Sequence, residues 1–285
     1  MILVIDNTKD LRTWINFNKK KDATIGFVPT MGSLHEGHIT LTQKSKKQNT
    51  FTIVSIFVNP TQFNHKQDLI KYPRTLGADL EMLKPTGVDI VFAPSVFEIY
   101  PKGNHYGADI NLGGLDKYME GAFRPGHFKG VAQVVKRLLE IVTPDRLYMG
   151  QKDFQQFTII NYMLKNLKIN TKLIVCPIIR ESNGLAMSSR NVRLSPETKE
   201  KASVIYKTLK AVKKYQHTKS ITELCQYGIK KLSVKPFKPE YLTIVDGHTL
   251  HPITDINNST YAVACLAVWA DDVRLIDNII LKNEI

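Results

Sequence analysis

The stretch from Gly26 to His38 constrains this chain more tightly than any other. An apolar run, Thr24 to Val28, stops at Pro29; Gly32, His35, Gly37 and His38 follow, and a helical pattern begins near Ile39. The order is strand, glycine-containing turn, helix start. A helix start leaves backbone N–H groups without intrahelical partners and carries the positive end of the helix dipole, so it is a natural phosphate site. Two histidines three residues apart add hydrogen bonds for the same anion. Gly37 between them predicts close approach of a ligand to the backbone. A plainer reading exists, because a His is often structural and His-x-Gly-His arises by chance. The strand before it and the helix after it favour chemistry.

The rest of the chain repeats the alternation. Strands are expected at Met1–Ile5 (buried), Phe51–Val58, Val88–Ala93, Arg146–Met149 and Lys172–Cys176, with a further one at Tyr106–Leu112 extending outward. Helices are expected at Asp10–Lys20, Ile39–Gln48, Gly77–Leu83, Val131–Val142 and from Gly150–Asp153 to about Leu167. FTIVSIFV is apolar almost without interruption, as are strands buried on both faces of a parallel sheet. The prediction is an α/β fold, a Rossmann-like doubly wound parallel sheet, with ligands beyond the carboxyl ends of its strands. After Leu194 the composition changes to lysine-rich helices at about 196–214 and 220–232, with strands at Tyr241–Val245 and Tyr261–Val268. Residues 1–180 are therefore read as a Rossmann-like domain and 181–285 as a smaller α+β C-terminal domain.

Composition removes several classes. Hydrophobic residues make up 43% and charged residues 23%, values of a globular chain. The longest apolar stretch, Tyr261 to Ala270, is too short to span a bilayer, and MILVIDNTKD reads as a strand rather than a signal peptide. The three cysteines, Cys176, Cys225 and Cys265, suit reduced thiols in a cytoplasmic protein. Net charge is +13, from 39 Lys and Arg against 26 Asp and Glu, which raises nucleic-acid binding as a reading to weigh. The lysines are dispersed and no aromatic-interleaved RNA motif is present, so solvated helix faces explain them better. The same field favours anionic small-molecule substrates.

Four polar clusters fall at strand ends or in junction loops: His35/His38, Asn59/Gln62, Lys152/Asp153/Gln156 and Ser188/Ser189/Arg190. Each has an ordinary reading as a turn, a helix start or a loop. Their joint occurrence at one sheet edge fits attack on the α-phosphate of a nucleoside triphosphate, where fixed donors matter more than a protein nucleophile. Gln62 and Gln156, neutral and capable of bidentate bonds, suit the hydroxyls or carboxylate of a small substrate.

Seven segments carry a specific resemblance: PTMGSLHEGH (29–38), FVNPTQF (57–63), YPRT (72–75), RPGHFKGV (124–131), KDFQQ (152–156), GLAMSSRN (184–191) and LIDN (275–278). In this order, over nearly the whole chain, they resemble the pantothenate synthetase family, ligases that join pantoate to β-alanine while ATP becomes AMP and pyrophosphate. These belong to the HIGH-type nucleotidyltransferases, related to class I aminoacyl-tRNA synthetases. The resemblance implies that Met31, Gly32, Ser33, Leu34, His35, Glu36, Gly37 and His38 line an ATP site, with His38 as proton donor to the departing phosphate, His35 stabilising the same charge and Lys152 joining them in catalysis. It implies that Gly150, Gln151, Lys152, Asp153, Ile179, Met187, Ser188, Ser189 and Arg190 hold adenine, ribose and phosphates. Gln62 and Gln156 would grip pantoate, with Gln62 also near β-alanine; Asn59, Tyr72 and Arg124 are weaker carry-overs. The implied route is a pantoyl adenylate, then attack by the β-alanine amine. Mg²⁺ as phosphate counterion, a C-terminal lid hinged near 177–186 and a homodimer are also implied, with neither nucleic acid nor membrane as partner.

Two positions depart from the family pattern. Gln151 stands where a Glu is usual beside the lysine, and Ala78-Asp79 where an acidic pair is usual, which makes Asp79 alone a poor metal ligand. The competing expectations are a nucleotidyltransferase that stops after nucleotidyl transfer and a basic RNA-binding protein on a decayed nucleotide fold.

Overall fold

In this computed structural model, residues 2–64, 66–101 and 110–283 are described. In chain order the first part contains β1 (Leu3–Ile5), α1 (Thr8–Asn18), β2 (Ile25–Thr30), α2 (Glu36–Gln48), β3 (Phe51–Ile56), α3 (Lys66–Lys71), α4 (Leu76–Leu83), β4 (Ile90–Phe92) and α5 (Val96–Ile99). Then come α6 (Met119–Phe123), α7 (His127–Val142), β5 (Arg146–Gly150), α8 (Phe154–Asn166) and β6 (Lys172–Cys176). The last part holds α9 (Pro196–Lys201), α10 (Ser203–Tyr215), α11 (Ile221–Leu232), β7 (Phe237–Asp246), β8 (Tyr261–Ala270) and β9 (Val273–Asn283).

Contacts divide the chain into two units. Unit 1 comprises 1–114, 124–151 and 159–177; unit 2 comprises 115–123, 152–158 and 178–285. Two short segments of the first 180 residues thus group with the C-terminal unit.

Unit 1 is a parallel sheet in the order β1-β4-β3-β2-β5-β6. The chain runs outward from β2 on one side, then returns to the other side of β2 with β5. That reversal is a topological switch point, the ligand edge of such sheets. β2 pairs with β3 along its whole length, from Ile25↔Phe51 to Thr30↔Ile56. It pairs with β5 only at Gly26↔Arg146 and Phe27↔Leu147. Beyond Phe27 the two strands part, and the sheet opens toward the carboxyl ends Thr30 and Gly150.

The sequence accounts for the seat of α2. A Cβ on Gly26 would lie 2.1 Å from Ser45 Oγ and 2.4 Å from Asn49 Nδ2, so only glycine lets α2 pack this closely on β2. Ile39 and Leu41 of α2 join Val28, Val54, Val91 and Tyr148 in one buried cluster. β1 lies at the sheet edge, which leaves Leu3 and Val4 each 44% exposed, unlike the buried strand expected for Met1–Ile5. Most of the strand expected at Tyr106–Leu112 lies outside the described residues, and 110–112 are not in a strand.

Unit 2 is built on the antiparallel sheet β7-β8-β9. On one face Leu242, Ile244, Leu266, Val268 and Leu275 form a core with Ile205, Leu209 and Leu224 of α10 and α11. On the other face lie Tyr241, Cys265, Arg274 and Asn278, because residues alternate along a strand and cross-strand partners share a face. The 115–123 segment docks there: Glu120 accepts from the Tyr241 hydroxyl (2.9 Å) and pairs with Arg274, and Phe123 stacks on Tyr241 with centroids 5.6 Å apart. Gln155 holds the same segment to α8 by donating to the carbonyls of Leu115 (2.7 Å) and Tyr118 (2.9 Å). The helix expected over 196–214 is two, α9 and α10, meeting at buried Ala202, and Thr198 ties α9 to Asp271 of the β8–β9 turn (3.0 Å).

Candidate active site

In unit 1 the histidines cap α2. His35 is the N-cap, in extended backbone conformation. The Gly37 N–H donates to His35 Nδ1 (3.1 Å), and the His35 N–H donates to His38 Nδ1 (3.3 Å). This is a reciprocal capping box made by two imidazoles in place of the usual hydroxyl and carboxylate. The rings are tilted by 38° to one another, centroids 4.1 Å apart. An Nδ1 that accepts is unprotonated, so in each neutral ring the proton sits on Nε2. Capping therefore selects the tautomer that offers two Nε2–H donors beside the helix dipole. Gly37 takes on a role different from close ligand approach: a Cβ there would sit 2.9 Å from both Cε1 and Nδ1 of His35. The His35 ring occupies the space that glycine leaves.

The turn before the helix is held by Asp79 of α4. Its Oδ2 accepts from the Ser33 N–H (3.0 Å), its Oδ1 from the Leu34 N–H (2.8 Å) and from the Thr75 hydroxyl (3.2 Å). Gly32 and Ser33 are both in the left-handed region, with φ of 78° and 49°; glycine adopts it freely, and the carboxylate holds the strained Ser33 in place. A cleft of about 310 Å³ adjoins this turn, lined by Met31, Gly32, Phe57, Arg74, Asp79 and Ser95 among others.

Gln62 sits in a buried polar network. Its Oε1 accepts from Asn59 Nδ2 (3.2 Å), its Nε2 donates to Met31 Sδ (3.1 Å), and its backbone carbonyl accepts from His127 Nδ1 (2.7 Å). Asn59 is 1% exposed; it accepts from the Tyr100 hydroxyl (2.9 Å) and donates to the Gly130 carbonyl (3.2 Å). Burial pushes the Tyr100 hydroxyl above its ordinary value, which keeps it a donor. The structure thus brings Met31 and Gln62 together and adds Tyr100 and His127 as their supports. His127 lies inside RPGHFKGV, the motif from which only Arg124 was carried over. Gly150 ends β5, and the Gln151 N–H donates to the Cys176 carbonyl (2.8 Å).

In unit 2, Lys152 Nζ lies 3.3 Å from Asp153 Oδ1 and its side chain is 20% exposed. Gln156, partly buried in the first turn of α8, follows Gln155, whose amide is spent on the 115–118 backbone. Ile179 and Met187 are brought together by a Met187 N–H bond to the Ile179 carbonyl (3.0 Å). Ser188 caps a short 3-10 turn, Ser189–Arg193, by accepting from the Arg190 N–H (3.2 Å). Asn191, buried behind this turn, donates to Glu181 (2.9 Å) and to the Ala186 carbonyl (3.1 Å).

The sequence has full-length relatives. It is 51% identical over 278 residues to the pantothenate synthetase of Azobacteroides pseudotrichonymphae, covering 97% of this chain and 99% of that one. It is 46% identical over 281 residues to that of Bacteroides fragilis, covering 98% and 99%. The crystal structure of the Thermus thermophilus enzyme superposes with a TM-score of 0.91 at 40% identity, over 99% of this chain and all of that one. The Francisella tularensis pantoate-beta-alanine ligase, complexed with beta-gamma ATP and beta-alanine, gives 0.82 at 39% identity, over 99% and 98%. The sequence model of the pantoate-beta-alanine ligases matches residues 3–280, and the chain belongs to that family.

Proposed function

We infer that the chain is a ligase that condenses pantoate with β-alanine at the expense of ATP, forming pantothenate through a pantoyl adenylate. One observation carries the reading: a histidine-capped helix N-terminus stands at the end of β2, beside the edge where β2 and β5 part.

In the first step a pantoate carboxylate oxygen attacks the α-phosphorus of ATP, and the bond to the bridging oxygen of pyrophosphate breaks. Negative charge grows on the leaving phosphates. The neutral Nε2–H donors of His35 and His38, the positive end of the α2 dipole and the Lys152 ammonium suit that charge. In the second step the β-alanine amine attacks the acyl carbon, AMP leaves with the bridging oxygen, and the amine loses a proton. Gln62 and Gln156 orient pantoate through both steps, and Gln62, held by Asn59 and His127, does so without paying for its own ordering. Ser188, Ser189 and Arg190 serve the phosphates, Ile179 and Met187 the adenosine, and residues 181–285 close as a lid that keeps water from the adenylate.

Mg²⁺ neutralises triphosphate charge when bound. Among the described residues no group of three His, Cys, Asp or Glu is arranged to hold a metal ion, and both oxygens of Asp79 are engaged by Ser33, Leu34 and Thr75. Magnesium, which keeps several waters and binds substrate phosphates, does not require such a group. The cytoplasm is the proposed location, supported by three unbridged thiols; no helix of the described residues is long and apolar enough to cross a membrane. A homodimer rests on the family resemblance, and light scattering on the purified protein tests it.

The decisive assay follows AMP and pyrophosphate from ATP, Mg²⁺ and pantoate with and without β-alanine. AMP release that requires both substrates supports the ligase and its adenylate. ADP in place of AMP overturns attack at the α-phosphorus. Pyrophosphate without dependence on β-alanine favours a plain nucleotidyltransferase, and steep salt-dependent RNA retention without turnover favours the binding protein.

A further inference from the structure

Two adjacent residues on β9, Asp277 and Asn278, are polar where a strand core is otherwise apolar, with only 3% and 1% of their surfaces exposed. Neighbours along a strand point to opposite faces. On one face Asp277 takes a bidentate grip from Arg180, at 2.6 and 3.0 Å. That guanidinium also donates to the Gly184 carbonyl (3.1 Å) and stacks 3.6 Å from the Tyr206 ring centroid. Arg180 bridges Ala186 through the backbone, and Gly184, at φ 94°, turns the chain between them. The loop that ends in Met187–Arg190 is thus fixed at its base by Asp277. On the opposite face Asn278 Nδ2 donates to the backbone carbonyl of Lys152 (3.0 Å). Asn278 in turn is locked, because its own N–H donates to Asp277 Oδ1 (2.8 Å).

Burying two polar side chains side by side in a strand costs free energy unless each is satisfied. Here each is satisfied by a different segment to which ATP contacts are assigned. We propose that Asn278 is a positioning residue for Lys152, and that the Asp277–Asn278 dipeptide sets the Lys152 backbone in register with the Met187–Arg190 loop. The proposal rests on the reading of Lys152 as an ATP-binding group. Lys152 has a long, flexible stem. Its carbonyl lies just before the first turn of α8, so without a fixed backbone the ammonium would sample a wider volume. Burial pushes the Asp277 carboxyl above its ordinary range while Arg180 and the Asn278 amide pull it back, so the buried carboxylate depends on those two partners.

The test is a double-mutant cycle on the full-length protein, with equilibrium ATP binding and AMP-forming turnover both measured. Asn278→Leu keeps shape and removes the donor; Asn278→Ala serves as the second variant if Leu does not fold, with circular dichroism and thermal midpoint as controls. Each is combined with Lys152→Met, which keeps the stem and removes the charge. The expected result is a roughly tenfold loss of ATP affinity from Asn278→Leu with Lys152 in place, the scale of one lost hydrogen bond, and less than about twofold in the Lys152→Met background. An equal loss in both backgrounds would mean that Asn278 serves the fold alone, and overturns the proposal. Wild-type protein that binds ATP but releases no AMP with pantoate and β-alanine would overturn the ligase reading, while the coupling between Asn278 and Lys152 in ATP binding would still decide the role of Asn278.

Discussion

The backbone N–H of His35 donates to His38 Nδ1 (3.3 Å), so His38 caps a helix with one nitrogen, and its proposed role in charge stabilisation falls to the other. The two functions separate by substitution. His38→Asn places an amide oxygen near the position of Nδ1 and offers nothing at Nε2. It is expected to keep the thermal midpoint within a few degrees and to lower turnover by on the order of a hundredfold, as for other lost charge-stabilising donors. His38→Ala should match it in rate and be less stable, since it also loses the cap. Turnover of His38→Asn near the wild-type value would remove His38 from the mechanism.

Gln62 is held by partners that survive its removal: Asn59 still has the Gly130 carbonyl, and His127 bonds the backbone rather than the side chain. Gln62→Ala should therefore fold normally. Its expected signature is a pantoate KM raised about tenfold or more, the value of an ordinary polar contact, with the ATP KM within about twofold. Equal changes for both substrates would argue against Gln62 as a pantoate residue.

Buried protons in unit 2 give a pH prediction. The Tyr241 hydroxyl donates to Glu120, and burial with that adjacent carboxylate holds it well above the ordinary phenol range. Burial pushes Tyr261 up to about 12 and raises the Cys265 thiol as well. All three folded values lie above their unfolded ones, so the folded chain retains protons that the unfolded chain releases. Their stabilising contribution is complete below about pH 8.5, the unfolded thiol value, and is lost progressively as pH rises toward about 12. Trp269 lies in unit 2, so in a Trp14→Phe background its fluorescence reports that unit. The urea midpoint should fall steadily between pH 8 and 11; a flat or rising midpoint would refute the assignment.

What the sequence made legible follows from how directly period and residue type map onto structure. β2 and β3 are buried on both faces, and their nearly continuous apolar runs mark both strands; the His-x-Gly-His turn marks the start of α2. β9 was hidden because Asp277 and Asn278 interrupt its apolar alternation just where the strand is most buried. Gly37 suggests room for a ligand, yet the ring that fills this space belongs to His35 two residues away, a relation that depends on the His35 rotamer and not on spacing. Tyr100 and His127 support Asn59 and Gln62 from 41 and 65 residues along the chain, and no local pattern announces such bonds. The docking of 115–123 and 152–158 with the C-terminal sheet likewise rests on long-range pairs, Arg274 with Glu120 and Asn278 with Lys152.

Asp79 shows how a residue type can suggest one role and the geometry another. An acid near a phosphate site suggests a metal ligand, but this carboxylate is 2% exposed and is consumed by two backbone N–H groups and a hydroxyl. Those bonds offset the left-handed conformation of Ser33. Asp79→Asn replaces one acceptor oxygen with an NH₂ that faces another N–H, so the turn loses a bond and gains a repulsion. The ATP KM should rise on the order of tenfold, since hydrogen bonds to charged groups contribute about 1.5–3 kcal/mol, with the overall fold retained. If the carboxylate orders the turn, raising Mg²⁺ from millimolar to tens of millimolar will not restore the KM, because the defect lies in the backbone. Recovery of ATP affinity at high Mg²⁺ would show instead that Asp79 helps to hold the metal, and would overturn the structural assignment.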